Sequence, residues 1–277
     1  MNYHSSDTLH DFLQHKKHFV ILFMLIAIGW VYSFLQVAAL TPRVNLSLFG
    51  PGMNTLTFLS SEPSNAMSDL ISSIPLCSNF GLAWSIESLS GPLSMWFSMV
   101  LAMMVPTLLI PGILRPMKMK AFVKFLLGYC CIWFVFCIFG VALQWRLQTY
   151  GLLDNSLVIN NSSVSATIFL VIGGVQLFKP NLKSLVSWLR FSKSNKIKTT
   201  FLSNDFGAGL SRGGICVYSC LPLMFVMFVF GLMNLVAMAL LTVIMYLMAN
   251  TAAVFVARST GLALIFSAML LLGVNHS

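Results

Sequence analysis

Two cysteines lie one helical turn apart in the apolar stretch GGICVYSCLPLM, which begins at Gly213. They are Cys216 and Cys220, and Met224 continues the same row with a further step of four residues. Residues four apart share one face of an α-helix, so a helix here would hold the two Cβ atoms about 6 Å apart. Thiolate and thioether sulfurs are soft ligands that suit Cu(I) or zinc. The pair is therefore a candidate soft-metal site.

Further sulfur-bearing side chains occur in two preceding apolar segments. One segment carries four methionines, three of them spaced four residues apart: Met95, Met99, Met103 and Met104. The next carries three cysteines: Cys130, Cys131 and Cys137. Because one helix supplies only two thiolates, a third ligand must come from a neighbouring helix, and we take Met103, Met104 and Cys130 as candidates. A set of two or three sulfurs favours Cu(I) over structural zinc, which almost always takes four ligands.

The same side chains have an alternative role in packing. A free cysteine behaves as a small hydrophobe, and methionine fills irregular gaps between helices. With 17 methionines in the chain, some rows at helical spacing arise by chance. The packing alternative predicts apolar neighbours around the thiols, whereas a metal site requires another sulfur close to both.

The N-terminal segment HSSDTLHDFLQHKKH carries a second set of candidate metal ligands. On a helix these side chains fall within about 80° of arc, and they are His4, Asp7, Asp11, His15 and His18. Imidazole and carboxylate groups at this spacing bind zinc or copper. The alternative, which we favour, is the polar face of an amphipathic helix beside the membrane.

The composition predicts a membrane protein. Of the 277 residues, 58% are hydrophobic and 8% are charged, whereas about 25% are charged in soluble proteins. Seven segments have the apolar character of membrane spans: Phe19–Leu40, Trp96–Leu114, Ala121–Gln144, Ser165–Phe178, Gly214–Leu232, Leu235–Val256 and Gly261–Val274. Helices satisfy their backbone hydrogen bonds within lipid. We therefore predict an all-α polytopic bundle, with a cytosolic tail at residues 1–18 and one transmembrane domain at 19–277. Met95, Met99 and Met103 should face the interior of the bundle, and four glycines should mark close helix contacts: Gly128, Gly173, Gly174 and Gly231.

The basic residues predict how this bundle is oriented. With the N-terminus in the cytosol, 14 of the 16 Lys and Arg residues lie on the inner side, and only Arg43 and Arg146 lie outside. This bias follows the positive-inside rule and places the C-terminus outside. The long outer loop is then 41–92, and the basic inner loop 179–212 is suited to lie on anionic lipid. We expect a multi-pass protein of the cell inner (cytoplasmic) membrane, with the lipid bilayer as its partner and no role for nucleic acid.

The predicted spans lack the groups that most membrane enzymes and pumps require. No Asp, Glu or His lies inside any of the seven, so neither a proton relay nor the base of a serine protease is available. The chain also contains no GxxxxGK[ST] and no HExxH motif. A non-enzymatic protein is expected. Its function is either soft-metal handling, with copper as the metal, or that of a structural or accessory subunit of a larger membrane complex without a metal site.

A series of motifs resembles one known family. The second span contains W-x-x-M-x-x-A-M-M-x-P from Trp96, the third FLLGY from Phe125, and the fifth MNL from Met233 just after its end. Over roughly residues 92–274, these motifs resemble a bacterial family of predicted metal-binding integral membrane proteins, domain of unknown function 2182. The resemblance implies a membrane protein that binds a metal.

The chain departs from that family at several cysteine positions. Family members usually carry a double cysteine and a tryptophan where this chain has Ser219, Cys220 and Leu221. They also carry two cysteines in the basic segment after the fourth span, where residues 179–188 contain none. Cys216 and Cys220 are the surviving pair, and the missing cysteines favour the accessory-subunit alternative.

Overall fold

The computed structural model describes residues 4–40, 46–60, 89–110, 118–153, 157–159, 161–178, 205–249 and 253–276. Seven α-helices occur in these residues: α1 His4–Leu40, α2 Ser90–Met104, α3 Met119–Thr149, α4 Ser162–Phe178, α5 Asp205–Phe230, α6 Leu235–Ala249 and α7 Ala253–His276. Three short 3-10 helices span Leu46–Phe49, Met53–Ser60 and Val105–Leu109. Within the described ranges the only β pairing is one isolated bridge, so the predicted all-α fold is confirmed there.

Five helices are long and apolar enough to cross a membrane. The spanning segments are Lys17–Leu40, Ser90–Leu109, Met119–Thr149, Asp205–Phe230 and Val254–Gly273. The helices α4 and α6 are also apolar but have only 17 and 15 residues, fewer than the roughly 20 that a typical span needs. The structure therefore indicates a membrane protein, while the count of seven spans and their orientation stay predictions.

Most helices begin earlier than the hydrophobic segments that predict them, and α7 begins at Ala253, inside the predicted sixth span, because α6 already ends at Ala249. Two helices begin inside a predicted tail or loop. The helix α1 starts at His4 and so continues through the predicted tail, which contains no Gly or Pro to break it. The helix α5 starts at Asp205, inside the predicted inner loop, and this carboxylate in the first turn interacts favourably with the helix dipole. The rest of that loop, and the outer loop apart from residues 46–60 and 89–92, lie outside the described residues.

Glycines bring three pairs of helices into backbone contact: α1 with α2, α3 with α5, and α4 with α7. A Cβ atom on Gly29 would lie 2.6 Å from the backbone nitrogen of Ala102. Gly173 and Gly261 face each other across the α4–α7 contact, where a Cβ on either would lie 2.8 Å from the carbonyl oxygen of the other. Small residues allow this approach in lipid, where helix association depends on close packing.

The structure confirms two of the glycines that were predicted to mark helix contacts and contradicts the prediction for a third. Gly128 and Gly173 are confirmed, since a Cβ on Gly128 would overlap the carbonyl oxygen of Phe206 in α5. The prediction for Gly174 is wrong, because nothing lies within 4 Å of its Cβ position. Gly231 lies in a turn with φ of +101°, a conformation that favours glycine.

The helix α2 lies at the centre of the bundle. Its four methionines are buried, at 2% exposure or less: Met95, Met99, Met103 and Met104. The predicted inward face of this helix is therefore confirmed. Trp96 is buried beside them and donates a hydrogen bond from Nε1 to Oε1 of Gln144, 2.9 Å away. By contrast, Leu262 and Phe266 of α7 are exposed, as expected for side chains that face lipid.

A tight turn joins α5 to α6 and makes the two helices a hairpin. Gly231 supplies the positive φ, and Asn234 caps α6 by accepting a hydrogen bond from the amide of Ala237 at 2.9 Å. The amide group of Asn234 donates to the carbonyl oxygens of Phe230 and Pro51, at 3.1 and 3.0 Å. This fixed turn sets which residues of α6 lie opposite the cysteines of α5.

Candidate metal centre

The two thiols of the predicted pair lie together in the interior of the protein. Cys216 and Cys220 of α5 are both buried, are not joined by a disulfide, and have their Sγ atoms 3.9 Å apart. With metal–sulfur bonds of roughly 2.3 Å, this separation corresponds to a sulfur–metal–sulfur angle of about 116°. A linear arrangement would need about 4.6 Å between the sulfurs. The observed spacing therefore fits an ion with three or four ligands.

Glycines on the same face of α5 determine where these thiols lie. Gly209, Gly213, Cys216 and Cys220 follow one another at steps of four, three and four residues, so they form a single helical stripe. A Cβ on Gly209 would overlap the carbonyl oxygen of Phe125 in α3, which shows how closely the two helices cross. The GxxxG spacing of Gly209 and Gly213 permits this crossing and carries Cys216 toward α3.

Two hydroxyl groups contact the sulfur of Cys216. The Oη atom of Tyr129 lies 3.4 Å from Sγ, and Oγ1 of Thr107 lies 3.7 Å from it. Both hydroxyls are also placed to donate to the carbonyl oxygen of Met104, at 3.0 and 2.7 Å. Each hydroxyl has one proton, so it can donate to the carbonyl while Cys216 is a thiol and turn to the sulfur when Cys216 is a thiolate.

A small cavity opens on another side of the two thiols. Its volume is about 20 Å³, enough for one water-sized group or one ion. Its described walls come from α5 and α6: Arg212, Ile215, Cys216, Ser219, Cys220, Met245, Met248 and Ala249. Two cysteines and two methionines therefore border one small cavity.

Arg212 is the charged residue in the described wall of this cavity. It precedes Cys216 by one helical turn, and its Nε atom is buried with no hydrogen-bond partner in the described structure. A nearby guanidinium stabilises a thiolate over a thiol. The cavity wall thus combines two thiols with one permanent positive charge.

The structure brings together two of the five predicted ligands. Met103 and Met104 are fully buried in α2, and Met104 reaches Cys216 through its main-chain oxygen and the hydroxyls of Tyr129 and Thr107. Cys130 is half-buried in α3, and it is absent from the described cavity wall, as are Met103 and Met104. Coordination by these three side chains stays a prediction.

The second candidate set falls largely outside the described side chains. The backbone of the N-terminal segment from His4 is helical, but of the five ligands only the side chain of His18 is described. It is buried and stacks on Phe122, with ring centroids 4.2 Å apart. The described residues contain no group of three or more His, Cys, Asp or Glu that could hold a metal.

Sequence reasoning missed Met245 and Met248 as neighbours of the cysteine pair. The position of these methionines could have been predicted from the hairpin. Cys220 lies about as many residues before the turn at 231–234 as Met245 lies after it. Antiparallel helices of equal rise bring such positions to one level. The turn had to be recognised as tight before this register could be used.

In the described residues, these features define an all-helical protein that has five helices apolar and long enough to cross a membrane and a cavity lined by cysteine and methionine between two of its helices. Comparison with protein families matches residues 93–271 to the PpoB2 family, described as a copper chaperone. The match covers more than half of the chain, and the protein belongs to this family. No curated protein and no solved structure matches the chain. The match supports membership of a copper-related family, while the resemblance to domain of unknown function 2182 stays a prediction; the matched range includes Cys216 and Cys220.

Proposed function

We propose that this protein binds copper(I) within the membrane as cargo and passes it to another protein, without catalysing a reaction. The observation that carries the proposal is the pair of buried thiols, 3.9 Å apart beside a cavity of about 20 Å³, in a member of a copper chaperone family. Cys216 and Cys220 are the primary ligands. A chaperone of this kind must hold its ion in a form that a partner can remove, and the two thiols border a cavity through which another ligand can approach the ion.

The chemistry of the cavity favours copper over other metals. Its ligand atoms are sulfurs, which bind hard cations such as magnesium and calcium weakly. Structural zinc sites usually complete a set of four thiolate or imidazole ligands, and the described residues bring no third such group to the pair. Copper(I) accepts thioethers beside thiolates, so methionine-rich surroundings suit it.

Binding requires both thiols to lose their protons. One copper(I) ion replaces two sulfur-bound protons, which leave to solvent, and affinity therefore increases as the pH rises. Tyr129 and Thr107 then turn their hydroxyl protons from the carbonyl oxygen of Met104 toward the sulfur of Cys216. The carbonyl and the sulfur lie within reach of both hydroxyls, so this change needs rotation about single bonds only.

We place the protein in the cell inner membrane, where five helices can span the bilayer by length and composition. The copper acceptor is then a protein that reaches the site from the membrane or from its surface. The alternative of an accessory subunit without a metal site makes the opposite prediction for copper content, so one experiment separates the two.

The test is copper loading of the protein purified in mild detergent under anaerobic, reducing conditions. We expect one tightly held copper(I) ion per chain, and its loss in the variant Cys216→Ser/Cys220→Ser. The exposed Cys131 provides a matched control, because Cys131→Ser should load as the unchanged protein does. Equal copper content in all three proteins, or none in the unchanged protein, would disprove the proposal.

A further inference from the structure

We infer that Met245 and Met248 of α6 supply the remaining copper ligands, so that the site is a two-thiolate, two-thioether centre between α5 and α6. The inference rests on the proposed copper binding and adds to it the identity of the second helix. It also assigns Arg212 as the charge partner of the occupied site. None of these three residues was among the predicted ligands.

The first step is the geometry of the thiols. At 3.9 Å between Sγ atoms, two bonds of roughly 2.3 Å meet at about 116°, the angle of trigonal or tetrahedral coordination. Two thiolates alone would bind copper(I) in a line, and the spacing on α5 is too short for a line. One or two more donors must therefore approach the ion from the side away from α5.

The second step is what lies on that side. Met245 and Met248 are buried, and they line the cavity together with both cysteines. They are three residues apart on α6 and so share one face of that helix. The thioether is a soft donor without charge or proton, so either methionine can bind copper(I) without further deprotonation.

The third step is the charge. Copper(I) with two thiolates carries a net charge of −1, and an unpaired charge in an apolar interior is costly. Arg212 contributes +1 from the cavity wall, which makes the assembly neutral. A divalent ion with the same two thiolates would form a neutral assembly, and the positive charge of Arg212 would then have no counter-charge. The site therefore selects a monovalent soft cation.

The test compares two methionine pairs by copper(I) competition with a chelator of known affinity. Leucine nearly conserves the volume of methionine, so Met245→Leu/Met248→Leu removes the sulfurs with little change in packing. We expect this variant to keep a copper ion but to bind it about tenfold or more weakly, a loss comparable to those that changes around metal ligands cause. The pair Met227→Leu/Met238→Leu is the matched control and should keep full affinity, because both methionines are buried but absent from the described cavity wall.

A spectroscopic measurement distinguishes the loss of the two ligands from a folding defect in the variant. In the unchanged chain labelled with selenomethionine, X-ray absorption at the copper edge should show selenium bonded to copper, and Met245→Leu/Met248→Leu should remove that signal. Full affinity in Met245→Leu/Met248→Leu, or no selenium in the copper shell, overturns the inference while leaving the cysteine site intact. A lack of copper in the unchanged protein instead overturns the proposed function together with the inference.

Discussion

The side chain of Arg212 introduces a permanent charge into a helix that is otherwise strongly apolar. Charged groups in membrane helices are rare and costly, and where they occur they usually serve a partner or a ligand. Its Nε atom is buried and has no hydrogen-bond partner in the described structure, although two thiols lie in the same cavity wall. At the scale of single residues, this arginine supplies the positive charge that thiolates in the same cavity wall would need.

We expect Arg212→Gln to weaken copper(I) binding by about tenfold or more. Arg212 lines the same cavity as both thiols, and the loss of about 1.4 kcal/mol of favourable charge interaction is a factor of ten in affinity. Arg212→Lys keeps the charge and should retain most of the affinity, so it is the control. Competition titrations with a chelator measure both variants. If Gln and Lys bind copper equally well, the charge does not contribute.

The residues of the site differ in how far the sequence reveals them. Cys216 and Cys220 could be paired from their spacing, because residues four apart meet on any helix. Tyr129 and Thr107 could not be assigned, since their contacts with Cys216 depend on how closely α3 and α5 cross and on where α2 passes into 3-10 geometry. Side chains on separate helices become neighbours only through tertiary packing.

At the scale of helices, the crossing of α3 and α5 controls the position of Cys216. A Cβ on Gly128 would overlap the carbonyl oxygen of Phe206, and one on Gly209 would overlap that of Phe125. The two helices therefore approach to backbone contact on both sides of the crossing. The distance from Tyr129 to Cys216 depends directly on this approach.

We expect Gly209→Ala to lower the free energy of unfolding by about 1–3 kcal/mol, the usual cost of overpacking. The added methyl group forces α3 and α5 apart, which also removes the hydroxyl contact of Tyr129 with Cys216 and weakens copper binding. Gly214→Ala is the matched control on the same helix, since nothing lies within 4 Å of its Cβ position. Thermal unfolding in detergent measures both. An unchanged melting temperature for Gly209→Ala would show that the crossing can relax without loss.

The helices themselves were predictable because each is a long apolar run. Their ends were not, since polar residues continue α1 back to His4 and α5 back to Asp205 without a residue that terminates a helix. Apolar content predicted a short fourth span, but it extended the sixth to Val256, whereas α6 ends at Ala249 after 15 residues. Helix length depends on caps and turns such as the one at Asn234, which the hydrophobic pattern does not record.

At the scale of the whole molecule, the short helices α4 and α6 decide the topology. If neither crosses the membrane, the five longer helices remain as spans, and residues 179–204 lie on the same side as the loop after α3, outside the cell. Six of the 16 Lys and Arg residues lie in that segment, so this arrangement contradicts the positive-inside rule. If both cross, the segment lies in the cytosol. Both arrangements leave the C-terminus outside.

We therefore expect α4 and α6 to cross the bilayer and residues 179–204 to be cytosolic. The 17 residues of α4 lie at the lower limit for a span, and local thinning of the bilayer can accommodate a short helix at modest cost. The measurement is labelling of Ser194→Cys in intact cells with a membrane-impermeant maleimide, in a Cys77→Ser background that removes the cysteine of the predicted outer loop. Asn275→Cys, which lies outside in both arrangements, is the positive control. Labelling of Ser194→Cys should appear only after the cells are permeabilised, because the basic segment faces the cytosol. Equal labelling of the two positions in intact cells would instead leave five spans and place the basic segment outside.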